Sequence, residues 1–245
     1  MLLAIDAGNT NLKFGVYEGQ QLLKSWRLSR DEIQTPFDLP GLNAKDVDAI
    51  IISSVVPNLN NTLQSVAENH FGVAPIFVDH TTAMGLTILY DQPSELGTDR
   101  IVSAVAAVEK YGAPCIVVDF GTATTFNAIN SKREYLGGII APGLMTAADA
   151  LFSRAAKLPR VEIKRPKNVI GKSTVEAMQS GIFYGYANLV DGLLEQMLHE
   201  MQETPKVIAT GGLARLMEHA SQYIRQIDEN LTLDGLRIVY EMNTA

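Results

Sequence analysis

One pattern occurs twice in this chain, and any fold it adopts has to hold both copies. Residues 2–17, "LLAIDAGNTNLKFGVY", run as an aliphatic strand into a carboxylate, a glycine and three small hydrogen-bonding side chains, and then into a second strand. Residues 115–129, "CIVVDFGTATTFNAI", repeat that order. Aligning Asp6 with Asp119 sets Gly8 on Gly121 and Asn9 on Thr122, with Thr10 and Asn11 opposite Ala123 and Thr124. Alone, Gly8-Asn9 reads as an ordinary hairpin turn, because both residues tolerate the positive φ such turns require. Its echo argues for an internal duplication, and so for two halves, residues 1–114 and 115–245, each long enough to bury a core.

The rest of the chain alternates strands and helices, which gives an α/β class. "LLAID", "LKFGVY" and "QLLKSWRL" form a three-strand meander, "VDAIIISSVV" is a strand buried on both faces, and "NLNNTLQSVAENHFG" is a helix stopped by Gly72. The Pro- and Gly-rich "TPFDLPGLNAKD" is a loop, "PIFVD" a short strand, and "RIVSAVAAVEKYG" a helix ending on Gly112. In the second half "REYLGGIIAPG" completes another meander. "GLMTAADALFSRAAKL" and "STVEAMQSGIFYGYANLVDGLLEQMLHEM" are helices joined by the surface loop "PRVEIKRPKN", and "KVIATGGLARLMEHA" is strand, Gly-Gly turn and helix.

Composition narrows what such a chain can bind. With 47% apolar and 19% charged residues it has ordinary globular content and reads as folded throughout. A formal charge of −7 and a pI near 5.1 argue against nucleic acid or an anionic membrane surface as partner, so any phosphate has to be held locally. The single cysteine, Cys115, lies in an apolar strand, where it forms no internal disulfide and reads as a buried thiol. Asp6 follows only Met1 and the four apolar residues 2–5, with no basic segment before them, and no later apolar run nears the ~18 residues a membrane span needs. The expectation is a soluble cytoplasmic protein.

A glycine turn after a strand lets backbone N–H groups converge on an anion. In "DAGNTN" Gly8 gives the approach, Asn9, Thr10 and Asn11 offer side-chain hydrogen bonds, and Lys13 a positive charge. Asp6 at the strand end suits Mg²⁺, often held through water because that ion keeps part of its hydration shell. The second copy supplies Asp119, Gly121, Thr122, Thr124 and Thr125, and two such turns facing a cleft would grip one nucleotide triphosphate. The Gly211-Gly212 turn could admit a flat base, although βα turns use glycine for backbone reasons alone. In "PSELGTDR", Thr98 or Asp99 is a natural helix cap, while Asp99 is also a candidate catalytic base with Arg100 beside it for an anionic substrate group. Ser173 and Glu176 have capping-box spacing, which leaves Thr174 free to touch a ligand. His70, His80, His199 and His219 are scattered, without zinc-ligand or hydrolase spacing.

Six segments in this order, "DAGNTN", "PSELGTDR", "DFGTATT", "GGIIAPG", "STVEAMQSGI" and "TGGLA", resemble type III pantothenate kinases over essentially the whole chain. Leu96 and Thr98 stand where Val and Ala are commoner in that family. The resemblance implies two ribonuclease-H-like domains of the actin, Hsp70 and sugar kinase type, with mixed five-stranded sheets and flanking helices around a nucleotide cleft. It implies ATP binding by Asp6, Ala7, Gly8, Asn9, Thr10, Asn11, Leu12 and Lys13, with Thr122 on the phosphates. Tyr90, Gly97, Thr98, Asp99, Arg100 and Thr174 would hold pantothenate, Asp99 would take its hydroxyl proton, and Asp119 would bind K⁺ or NH₄⁺. The implied reaction converts ATP and pantothenate to ADP and 4′-phosphopantothenate, the first step toward coenzyme A. Two alternatives remain at this level: a kinase of the same fold for a sugar or acetate, and a non-catalytic regulator.

The long helix 174–201 carries more apolar surface than one core needs. Val175, Met178, Ile182, Tyr186, Leu189 and Leu193 mark one face, and Phe183, Tyr184, Val190, Leu194 and Met197 broaden it. Burial within one subunit is one explanation. The family resemblance favours the other, a homodimer with this helix and Thr174 near the contact.

Overall fold

The computed structural model describes residues 1–30, 39–155 and 158–244. The first four residues of the loop expected at 35–46, and residues 156–157 of the helix expected at 143–158, lie outside them. The chain forms two compact units, Met1–Lys110 joined by the segment from Asn230 onward, and Tyr111–Glu229. Both are ribonuclease-H-like, and the division differs from the expected 1–114 and 115–245 because the C-terminal helix returns to the first sheet.

In the first unit β1 (Leu2–Ala7), β2 (Asn11–Glu18) and β3 (Gln21–Ser29) form the antiparallel meander. β4 (Ala49–Ser54) and β5 (Ile76–Phe77) add parallel strands, giving the order β3-β2-β1-β4-β5. All six residues of β1 are buried, as a central strand covered on both faces requires. One face packs Leu3, Ile5, Leu12, Phe14 and Ile52 against Leu63 and Val66 of helix α1 (Pro57–Val66). α1 opens with Pro at its first position, where the missing N–H costs nothing, and runs through a π-helical turn to Gly72. A two-residue strand β6 (Thr87–Ile88) precedes α2 (Thr98–Tyr111).

Helix α6 (Leu231–Thr244), which sequence reading passed over, packs on β1, β2 and β4. Gly235 explains how: a Cβ there would stand 2.0 Å from the Val102 carbonyl oxygen, so α6 and α2 meet backbone to backbone. Ser103 and Thr232 share a hydroxyl hydrogen bond of 3.0 Å beside that contact. Tyr17 donates to Asp234 (2.8 Å), and Lys110 pairs with the same carboxylate.

The second unit repeats the plan. β7 (Cys115–Phe120), β8 (Ala123–Ile129) and β9 (Glu134–Pro142) are its meander, and β10 (Lys206–Thr210) and β11 (Gln226–Ile227) its parallel strands, in the order β11-β10-β7-β8-β9. Helix α3 (Leu144–Arg154) follows β9, and a short helix α5 (Ala214–Glu218) follows β10. Helix α4 (Thr174–Met201) begins at Ser173, whose side chain accepts the Glu176 N–H as expected of a cap.

The buried stripe of α4 is Phe183, Tyr186, Val190, Leu194 and Met197, packed on Ile116, Val118, Phe120 and Phe126. The core therefore draws on both sets: Phe183, Val190, Leu194 and Met197 of the residues read as broadening the face are buried together with Met178 and Tyr186 of the face expected to lead, while Val175 and Leu189 of that face are exposed. The loop "PRVEIKRPKN" lies along α4, tied down by Gln179 to the Glu162 carbonyl (2.8 Å) and by Ser180 to that of Val169. Among the described residues no helix is long and apolar enough to cross a membrane.

Candidate active site

Register positions the first turn. Asp6 lies opposite Lys13 on β2 and beside Ser53 on β4, so the three side chains share one face of the sheet at its strand ends. The turn closes with Gly8 N–H donating to the Asn11 carbonyl (3.1 Å). Asn9 and Thr10 are exposed at its tip. Ala7 and Leu12, expected among the nucleotide contacts, have side chains in the core, so only their backbone can meet a ligand. Sequence reading missed Arg30, whose N–H donates to the Thr10 carbonyl (2.9 Å) and whose guanidinium reaches the Asn9 carbonyl (3.3 Å). Its signal was the hairpin: β3 returns antiparallel, pairing Ser29 with Asn11 and bringing Arg30 to the turn.

The "GTDR" segment begins at the same edge. Val55, just past β4, donates to the Ala7 carbonyl (3.1 Å), and Ser53 shares a 2.9 Å hydroxyl hydrogen bond with Thr98. Gly97 caps α2 through its carbonyl, accepting from Arg100 (3.1 Å) and Ile101 (3.3 Å). The half-buried Asp99 carboxylate accepts the Arg100 N–H (2.8 Å) in the first turn of the helix. A Cβ at Gly97 would stand 2.6 Å from Asp99 Oδ1, so glycine there lets the carboxylate lie back against the chain. Arg100 is buried, and Tyr90 is half-buried two residues after β6.

In the second unit the turn is one residue shorter: Gly121 N–H donates to the Ala123 carbonyl (3.1 Å). Asn11 is thus the counterpart of Ala123, and Lys13 that of Thr125, which corrects the ungapped alignment of the two copies. Asp119 lies between Thr125 on β8 and Thr210 on β10, a row of three oxygen-bearing side chains on one face. Thr210 Oγ1 is buried with no hydrogen-bond partner among the described residues. Gly211 holds φ +91°, and a Cβ there would stand 2.3 Å from Asp119 Oδ1 and 2.7 Å from the Phe120 backbone. The glycine at this βα turn therefore has a backbone reason of its own.

The exposed Thr122 presents its carbonyl to the start of α3, accepting from the Gly143 N–H (3.1 Å) and the Thr146 hydroxyl (2.7 Å). Thr174 stands elsewhere in the unit, in an apolar groove of about 510 Å³ with Leu151, Leu158, Ala177, Met178, Gly181 and Ile182. Cys115 is fully buried, and burial pushes its thiol up to about 12, which removes it as a nucleophile.

A sequence model of the type III pantothenate kinase family matches residues 2–196. The type III pantothenate kinase of Koribacter versatilis is 49% identical over 265 residues, spanning 100% of this chain and 97% of its own. A Campylobacter jejuni structure described as a Baf family transcriptional activator has a TM-score of 0.65 at 21% identity, covering 98% of each chain. The activator of the 2-hydroxyisocaproyl-CoA dehydratase from Clostridium difficile, with bound ADPNP, has a TM-score of 0.54 at 12% identity, covering 98% of this chain and 93% of its own. At those identities the two structures show a shared fold and nothing further.

Proposed function

The chain belongs to the type III pantothenate kinase family, and on that premise we propose that it transfers the γ-phosphoryl group of ATP to the primary hydroxyl of pantothenate, giving ADP and 4′-phosphopantothenate. The observation that carries the reading is the Ser53–Thr98 hydrogen bond, which joins the row holding Asp6 to the first turn of α2, which holds Asp99, within one unit.

Phosphoryl transfer passes through a largely dissociative transition state, so the protein's work is alignment and charge neutralisation. The Asp6–Lys13 turn binds the phosphates through its backbone N–H groups, the Asn9, Thr10 and Asn11 side chains and the Lys13 ammonium. Thr122 also contacts them. Gly97, Thr98, Arg100, Tyr90 and Thr174 hold pantothenate. Asp99 accepts the hydroxyl proton as the O–P bond forms and the bond to the β–γ bridging oxygen breaks; an ordinary carboxylate suffices, because that proton leaves late.

Asp6, a single carboxylate at a strand end, suits Mg²⁺ bound partly through water, and that ion would neutralise charge on the phosphate oxygens. The row Thr125, Asp119, Thr210, with its unpartnered buried hydroxyl, suits a monovalent cation such as K⁺ or NH₄⁺, which takes oxygen ligands. A cytoplasmic location goes with a reaction that consumes ATP. A homodimer belongs to the same reading, supported by the exposed Val169, Ile170 and Val175 around the start of α4.

The test is direct. Purified protein with ATP, Mg²⁺ and K⁺ is offered pantothenate, simple sugars and acetate separately while ADP release is followed. Turnover with pantothenate is expected; turnover only with a sugar or acetate, or with none of the three, overturns the reading.

A further inference from the structure

Tyr186 is buried in α4, yet its ring and hydroxyl reach both sides of the second turn. The ring packs on Phe120, the last residue before Gly121, with centroids 6.4 Å apart. Its hydroxyl is hydrogen-bonded to Thr124 Oγ1, just past the turn, and receives the N–H of Leu144. Leu144 is the first residue of α3, whose opening N–H groups have no partner within the helix. Burial raises the phenol above its ordinary value, so it stays neutral and can accept from Leu144 while donating to Thr124.

Those contacts link three pieces of chain that converge on Thr122. Gly143 and Thr146 hold its carbonyl from the α3 side. A Cβ at Gly143 would stand 2.3 Å from that carbonyl oxygen, so α3 begins directly against the turn. Tyr186 fixes α3 to β8 from behind, and Thr124 Oγ1, fully buried, has its hydroxyl bond there.

We propose that Tyr186 is a positioning residue for phosphoryl transfer, its hydroxyl locking the Gly121–Thr122 turn to the start of α3 so that Thr122 meets the ATP phosphates in register. It touches no substrate and acts through Thr122. This rests on the proposed kinase activity, with Thr122 on the nucleotide.

Tyr186→Phe keeps the ring and removes the bond. kcat falls between about 10- and 100-fold, the scale of a misplacement on the order of 1 Å. KM for ATP and the dissociation constant of a fluorescent ATP analogue rise, while KM for pantothenate stays within twofold. Thr124→Val, which removes the same bond from the other side, gives the same split. Thr124→Ser, which keeps the hydroxyl, retains parental values. The double variant Tyr186→Phe/Thr124→Val is no worse than either single one, since both remove one bond.

A purely structural role would lower the melting temperature and leave kcat and both KM values of the folded fraction unchanged, and that result overturns the proposal. Should Tyr186→Phe fail to fold, the comparison of Thr124→Ser with Thr124→Val decides alone. Failure of the kinase reading looks different, because the parent protein would then release no ADP with pantothenate.

Discussion

Gly211→Ala tests how the second unit holds Asp119. Two penalties add at this position. Alanine at φ +91° leaves the allowed region for an L-residue, a strain of about 1–3 kcal/mol. Its Cβ would also stand 2.7 Å from the Phe120 backbone and 2.3 Å from Asp119 Oδ1, and overpacking of this kind costs about 1–3 kcal/mol. The backbone of β7 is central to its sheet and cannot retreat far, so the Asp119 carboxylate has to rotate out of the row with Thr125 and Thr210. The expected loss of stability is therefore about 2–6 kcal/mol in urea denaturation, with the half-saturating K⁺ concentration for ADP release raised at least ~10-fold. Gly192→Ala is the control: it lies within α4, its added Cβ meets nothing within 4 Å, and it should stabilise by about 0.5–1 kcal/mol. If Gly211→Ala unfolds within ~0.5 kcal/mol of the parent and keeps its K⁺ dependence, the contact argument is wrong.

Asp99→Asn keeps the shape at the start of α2 and removes the base, so kcat should fall at least ~10²-fold with ATP binding intact; near-normal turnover would take Asp99 out of that role. Replacing K⁺ and NH₄⁺ with a bulky organic cation at constant Mg²⁺ should abolish ADP release, and full activity would sink the assignment at Asp119. Light scattering at micromolar concentration should give twice the 26.7 kDa chain mass, from an interface above the ~1,000 Å² typical of biological contacts. A monomer mass would refute the dimer.

Much of this molecule is legible in its sequence, and the legible parts are local. The two strand–Asp–x–Gly–strand units, the Ser173 cap and the helix stop at Gly112 each follow from neighbours along the chain, because turn chemistry and capping depend on a few adjacent residues. Asp6, Asp119 and Asp99 could be singled out the same way, each two residues from a glycine at the end of a strand or the start of a helix. The repeat implied two similar sheets, and the strand orders β3-β2-β1-β4-β5 and β9-β8-β7-β10-β11 are the same plan twice.

What escaped the sequence are the pairings between distant segments. α6 belongs to the first unit because Gly235 lets it approach Val102, more than a hundred residues away, and a glycine inside a helical stretch does not disclose what it makes room for. The extra residue in the first turn became visible only when the register paired Asp6 with Lys13 but Asp119 with Thr125. Apolar periodicity identified α4 as a helix without choosing its inner face, since Phe183 and Val175 are alike in hydrophobicity and differ in whether β7 and β8 lie beneath them. Arg30 and Tyr186 reach the two turns across a strand pairing and a helix packing. Local propensity is a property of adjacent residues, whereas the choice among contacts between surfaces of similar composition is settled only when the whole chain closes on itself.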